Sequence, residues 1–193
     1  MIDLVFCSSN AHKSVEMSAI LPSWISVRSM RQVGIMDDIP ETGTTFLENA
    51  LAKARFVHER TGMSVFADDS GLEVACLGGQ PGVRTARFAG EGATSKQNME
   101  KLLHDMRNCR EREARFVCCI ALIFNNEEVS FEGVVDGHIT NEILGEGGFG
   151  YDPIFVPKGY GSSFSELPMD TKNSVSHRYN AVRQMVDWLG ANT

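Results

Sequence analysis

What the sequence lacks sets the first bounds. It has no C-x-x-C pair and no Cys/His spacing of a zinc site, so its five cysteines (Cys7, Cys76, Cys109, Cys118 and Cys119) announce no metal scaffold. The odd count argues against a fully paired framework, and reduced thiols in a cytoplasmic enzyme are expected. The longest apolar run, residues 116–124, spans nine positions, whereas a membrane-crossing helix needs about 20. Cys118 and Cys119 fall inside that run and read as buried strand residues. The opening Met1-Ile2-Asp3-Leu4-Val5-Phe6 has no basic region and no small-residue cleavage site, so no signal peptide is expected. There are only six prolines, no Pro/Ser-rich linker and no internal repeat. Positive charge is also short. Lys plus Arg total 18 against 25 Asp plus Glu, a net charge of −7. That excludes the extended basic surface a nucleic acid or an anionic membrane would need. A small polyanion is not excluded, because one pocket can be basic on an acidic protein.

The 193 residues, 42% apolar and 22% charged, are enough for one globular core, or one core in two lobes. Strand-like and helix-like segments alternate. Residues 3–8 read as a buried strand, 12–21 as a helix stopped by Pro22, and 25–30 as a second strand. Thr45 and Glu48 have capping-box spacing, and Leu47, Ala50, Leu51, Ala54 and Val57 form one stripe behind them, predicting a helix over 45–61. Short strands are expected at 64–67 and 72–75, a helix at 94–106, and long strands at 114–124 and 128–137 joined by Asn125-Asn126. A last helix is expected over 176–189. The mixture predicts an α/β fold with a mixed sheet.

Four segments could carry chemistry. Asp68-Asp69-Ser70-Gly71 follows a short strand. If the strand continues, the adjacent acids point to opposite faces, one serving as a hard-cation ligand or general base while the other braces the loop. The alternative is an Asx turn with two solvated acids. Glu41, in the loop before the secure helix, could join an Asp at a metal or simply sit near the helix dipole. Ser8-Ser9-Asn10-Ala11-His12-Lys13 is a strand-to-helix junction whose free amides and lysine suit an anion, or else a plain Asn cap. Gly145, Gly147 and Gly150 formally satisfy G-x-G-x-x-G, but Pro153 stands where a dinucleotide-binding helix should begin. That loop could instead approach a flat ligand, with Phe149 or Tyr151 stacking on a base. Lys172, His177 and Arg178 cluster near the last helix start, where cations oppose the helix dipole unless a ligand or a salt bridge compensates. Lys53 lies between Ala52 and Ala54 and could reach a cleft or snorkel.

Taken in order, these segments closely resemble the inosine triphosphate pyrophosphatase family. The matching stretches are Ser9-Asn10 with Lys13; Glu41 to Phe46, Glu48-Asn49-Ala50 and Lys53-Ala54; Phe66 to Leu72; Gly78-Gly79 and Pro81-Gly82; Arg84 with Ala86-Arg87; Gly147 to Phe155; and Ser176-His177-Arg178. The resemblance runs over nearly the whole chain. It implies one two-lobed domain over residues 1–193, an elongated mixed sheet flanked by helices with a central cleft. It also implies a homodimer and Mg2+-dependent hydrolysis of dITP, ITP or XTP to the monophosphate and pyrophosphate. By the family pattern Asp69 is the general base and metal-linked residue, with Glu41 and Asp68 as further metal candidates, and Ser70 contacts the nucleotide. Ser8 through Lys13, Lys53 and Lys172 hold phosphates. Phe149, Gly150, Tyr151 and Asp152, with His177 and Arg178, hold the base. Three positions depart from the pattern: Ser8 replaces a common Thr, Pro40 stands where many members carry a second acid, and Tyr179 follows Ser-His-Arg. The rival expectations are a nucleotide pyrophosphatase of other base specificity and a catalytically silent nucleotide-binding protein.

Overall fold

The computed structural model describes all 193 residues. Six strands form one mixed sheet: β1 (Ile2–Phe6), β2 (Ile25–Ser29), β3 (Val65–Val74), β4 (Glu113–Phe124), β5 (Glu127–Ile139) and β6 (Phe155–Pro157), in the order β2-β1-β3-β4-β5-β6. β1 runs parallel to both β2 and β3, and β6 is antiparallel to β5. Five α-helices accompany them: α1 (Ala11–Ile20), α2 (Phe46–Thr61), α3 (Ser95–Asp105), α4 (Met169–Val175) and α5 (His177–Ala191).

The chain divides into two compact units. The first comprises Met1–Asp69, Cys118–Gly133 and Arg178–Thr193. Its strands alternate between two apolar layers, as the period of a strand requires. Leu4, Phe6, Phe66, Cys118, Ile120 and Leu122 pack with Met17 of α1 and with Ala181, Val182, Met185 and Leu189 of α5. Val5, Cys7, Val65, Ala67, Ala121 and Ile123 face the other way, onto Ala50, Ala54 and Val57 of α2. The helix α2 starts where its capping box says it should. Thr45 Oγ1 accepts from the Glu48 amide, and Glu48 Oε2 accepts from the Thr45 amide. The left-handed Gly62 ends it.

The second unit comprises Ser70–Val117 and Val134–His177. Its core gathers Leu72, Val74, Phe116, Ile139, Phe155 and Phe164 against Met99 and Leu102 of α3 and Met106 just after it. A second capping box, Thr94 with Gln97, opens α3.

Three features differ from the sequence expectations. The strands expected at 64–67 and 72–75 are one strand, β3, which carries Asp68-Asp69-Ser70-Gly71 through without a turn. Lys172 lies not beside the last helix but within a separate short helix, α4. The thiols are not all reduced: Cys76, in the 3-10 turn Ala75–Leu77, is bonded to Cys109 beyond α3, with Cα atoms 6.2 Å apart. Sequence could not show this pairing, because a separation of 33 residues carries no spacing signal. Cys7, Cys118 and Cys119 are free and buried. At the other hairpin the expectation holds. Asn125 and Asn126 both adopt positive φ, the geometry a two-residue turn demands.

The pairing makes a direct prediction. Alkylation in denaturant without reductant labels the three cysteines that the structure leaves free, and prior reduction raises the count to five. Five labelled thiols without reductant would refute the bond.

Candidate active site

Strand parity builds the first cluster. Asp68 shares the face of Phe66, toward α1 and α5, and Asp69 shares the face of Val65 and Ala67, toward α2. Both acids are buried. A buried charge survives only when it is paired, and each face supplies its own partners.

On the Asp68 face, Lys13 Nζ of α1 lies 3.0 Å from Oδ2. Arg178, in the first turn of α5, donates to the same oxygen through Nε and Nη2, both at 3.3 Å. The third arm of Arg178 reaches Glu16 of α1. The Asp68 Oδ1 atom is buried without a hydrogen-bond partner. Burial alone would raise the Asp68 pKa, but Lys13, Arg178 and Lys53 together bring it down to about 2. The same carboxylate holds Arg178 above its ordinary range despite burial.

On the Asp69 face, the two carboxylate oxygens are divided between two residues one helical turn apart on α2. Asn49 Nδ2 donates to Oδ2 at 3.0 Å, and Lys53 Nζ lies 3.5 Å from Oδ1. Lys53 also donates to Glu41 Oε1 and to the Asp68 carbonyl, each at 2.7 Å. Burial would lower the Lys53 pKa, yet the charges of Asp69, Asp68 and Glu41 hold it above its usual value. Asp69 moves the other way: burial raises it, Lys53 offsets part of the shift, and Glu41 adds to it. A carboxylate lifted toward neutrality is better matched to removing a proton from water. Asp68 and Asp69 are therefore neighbours with opposite shifts, one a fixed anion and the other a tunable one.

The α1 junction is a capped helix start with Lys13 in its first turn. Asn10 caps the helix, its Oδ1 accepting from the amides of His12 at 3.0 Å and Lys13 at 3.3 Å. Ser8 Oγ accepts from the Asn10 amide. Ser9, Ala11 and His12 are exposed, so the turn presents backbone to solvent.

The second unit holds the remaining expected residues. Asp152 is buried and receives the Lys172 ammonium and the Phe149 amide, both at 2.6 Å on Oδ2. Gly148 is required there: its φ is +83°, and a Cβ would stand 2.6 Å from the same Asp152 oxygen. Gly150 also has positive φ, and Phe149 is exposed. Tyr151 is buried and donates its hydroxyl to the Thr85 carbonyl at 3.0 Å. His177 stacks on Phe116 with ring centroids 4.9 Å apart. Ser70 is half-buried on β3, directly after Asp69.

The structure thus brings Lys13, Asp68 and Arg178 together, joins Glu41, Lys53 and Asp69, and pairs Lys172 with Asp152. Two contributors escaped the sequence reading. Asn49 sits four residues before Lys53, so the helical period was a usable signal. Glu16 lies three residues after Lys13 on α1, but nothing local marks it as the partner of an arginine at position 178.

The model of the Ham1 family matches residues 4–188. The chain belongs to the Ham1 family. Curated relatives include proteins named dITP/XTP pyrophosphatase from Porphyromonas gingivalis, 45% identical over 190 residues with 98% of each chain covered, and from Flavobacterium johnsoniae, 43% identical over 188 residues with 97% of this chain and 98% of that one covered. Among solved structures, the Staphylococcus aureus Ham1 protein superposes with a TM-score of 0.91 at 37% identity, covering 99% of this chain and 100% of that one. A Coxiella burnetii HAM1 protein gives 0.91 at 38% identity, with the same coverage. The α/β fold with a mixed sheet is accordingly that of the Ham1 proteins.

The Asp68 network predicts a pH signature. Its pKa is depressed on folding, so its contribution to stability is complete above the ordinary value of 3.8 and is lost as pH falls toward about 2. Replacing Asp68 with Asn removes the carboxylate that pairs buried Arg178 and Lys13, leaving Glu16 on Arg178, which should cost about 3 kcal/mol near neutral pH. In denaturant melts the gap between wild type and Asp68→Asn narrows as the pH drops below about 4. A gap unchanged down to acid pH would contradict the assignment.

Proposed function

We propose that this chain hydrolyses the non-canonical purine nucleoside triphosphates dITP, ITP and XTP to the monophosphate and pyrophosphate, with Mg2+. The observation that carries the reading is the Asp69 site: a buried carboxylate of raised pKa, both oxygens held by α2, with Lys53 alongside. Family membership and the names of the relatives support the substrate class.

The roles follow from the residues. Water must reach the α-phosphorus against the charge of three phosphates. Residues 8–13, Lys53 and Lys172 are the phosphate-binding groups, and Asp69 orients the water and removes its proton. The donor set fits a hard divalent cation, because Glu41 and Asp69 both offer carboxylate oxygens. Asp68 Oδ1 is buried without a partner, and Glu41 and Asp69 already converge on one ammonium. No three acid, His or Cys side chains are pre-grouped as a metal centre, so the phosphates themselves would complete the ligand shell. Asp69 and Glu41 are the residues that would hold Mg2+, which supplies charge neutralisation at the triphosphate when bound, whereas Asp68, on the opposite strand face, is engaged by Lys13 and Arg178.

By the family pattern Ser70 contacts the nucleotide, and base recognition falls to Phe149, Gly150, Tyr151, Asp152, His177 and Arg178. Hypoxanthine and xanthine offer a 6-keto acceptor where adenine offers an amino donor. A buried donor facing that amino group is left unmatched, at a cost of about 1–3 kcal/mol. The same resemblance supports one domain over the whole chain, a homodimer and a cytoplasmic location. No helix is long and apolar enough to cross a membrane.

The test is turnover of dITP, XTP, dGTP and dATP with and without Mg2+. Expected are Mg2+-dependent release of pyrophosphate rather than orthophosphate, and preference for dITP and XTP. Asp69→Asn should lower kcat by about a hundredfold or more while the fold persists. Orthophosphate as the first product, or wild-type kcat in Asp69→Asn, would overturn the reading. Tight dITP binding without turnover would instead identify a silent nucleotide binder.

A further inference from the structure

We infer that Asn49 is a positioning residue for catalysis, acting through Asp69 and through the loop that carries Glu41. This inference rests on the proposed hydrolysis and adds to it a group that touches neither phosphate nor base.

The geometry is that of a two-sided clamp. Asn49 is 1% exposed in the first turns of α2. Its Nδ2 donates to Asp69 Oδ2 at 3.0 Å, and its Oδ1 accepts from the Gly43 amide at 2.7 Å. A carboxamide is the side-chain group that offers a donor and an acceptor from one rigid plane. The network fixes its orientation, since an oxygen facing Asp69 or an NH2 facing the Gly43 amide would oppose like with like.

Three neighbouring features indicate that this clamp is built in. The capping box sets the start of α2 to the residue, and Glu48 Oε2 receives the Thr44 amide and hydroxyl, so the loop is tied down directly after Gly43. Gly43 is a steric requirement: a Cβ there would stand 2.7 Å from Asn49 Oδ1 and 2.8 Å from Glu48 Cβ. Lys53, one helical turn further, takes Asp69 Oδ1 and Glu41 Oε1. Asn49 thus occupies one oxygen of Asp69 and leaves the other turned toward Lys53, and its second hydrogen bond fixes the loop bearing Glu41 relative to Asp69.

A residue with this job lowers the rate when it is lost, but it does not weaken ground-state binding. The experiment compares wild type and Asn49→Leu, which is nearly isosteric and cannot hydrogen-bond. It reads kcat for dITP and, by calorimetry, the affinity for the unhydrolysed α,β-imido analogue of dITP in Mg2+. Expected is a loss of about tenfold or more in kcat with affinity held within about threefold, because small misplacements of reacting groups are costly to the rate. If thermal melts show Asn49→Leu unfolded at the assay temperature, Gly43→Ala decides by the same criterion, since it keeps every buried polar group and its Cβ crowds the Asn49 side chain most closely. A kcat within about twofold of wild type overturns the inference. So does a parallel loss of affinity and rate, the mark of a merely structural residue. A wild-type enzyme that binds the analogue but never turns over dITP overturns the proposed function instead, so the two failures read differently.

Discussion

Two consecutive carboxylates inside a sheet strand are the constraint around which the first unit is organised. Each would cost several kcal/mol to bury alone, and the strand's alternation sends them to opposite faces where one helix layer cannot serve both. Lys13 from α1 and Arg178 from α5 answer Asp68, and Lys53 and Asn49 from α2 answer Asp69. The helices flanking β3 are therefore fixed twice, by apolar packing along their length and by charge at their ends. Lys53 is the shared member, reaching the Asp68 carbonyl as well as Glu41 and Asp69.

The same arrangement separates two acids of identical chemistry. Asp68 is surrounded by three cations and stays ionised into strong acid, whereas Asp69 has one near cation, a nearby carboxylate and a shell that excludes water. Environment divides the labour between a fixed charge that holds cations in place and a base that can accept a proton. In the second unit Asp152 repeats the first of these roles on Lys172, with Gly148 conceding the space its carboxylate needs.

Much of this was legible in sequence where the signal is local. The helix α2 declared itself through Thr45, Glu48 and an apolar stripe, and it begins and ends as expected to within one residue. The hairpin at Asn125-Asn126 and the helix cap at Asn10 were legible for the same reason. What escaped depends on distant partners. Asp68-Asp69-Ser70-Gly71 has poor strand propensity, and only cations from α1, α2 and α5 let it continue β3. Arg178 reads in sequence as a cation that needs a ligand or a salt bridge, and its commitment to Glu16 and Asp68 joins positions that no local pattern links. The helix α4 is seven residues long and stops one residue before α5, so the two merged into a single helical start. The Cys76–Cys109 bond and the role of Asn49 likewise require the fold before they can be seen.

At the centre of the account is a water molecule, deprotonated by Asp69, that attacks the α-phosphorus. Hydrolysis of dITP in heavy-oxygen water tests this step directly, because the oxygen that enters remains on the phosphorus that was attacked. The account predicts heavy oxygen in the deoxyinosine monophosphate and none in the pyrophosphate. Label in the pyrophosphate, showing attack at the β-phosphorus, would contradict it.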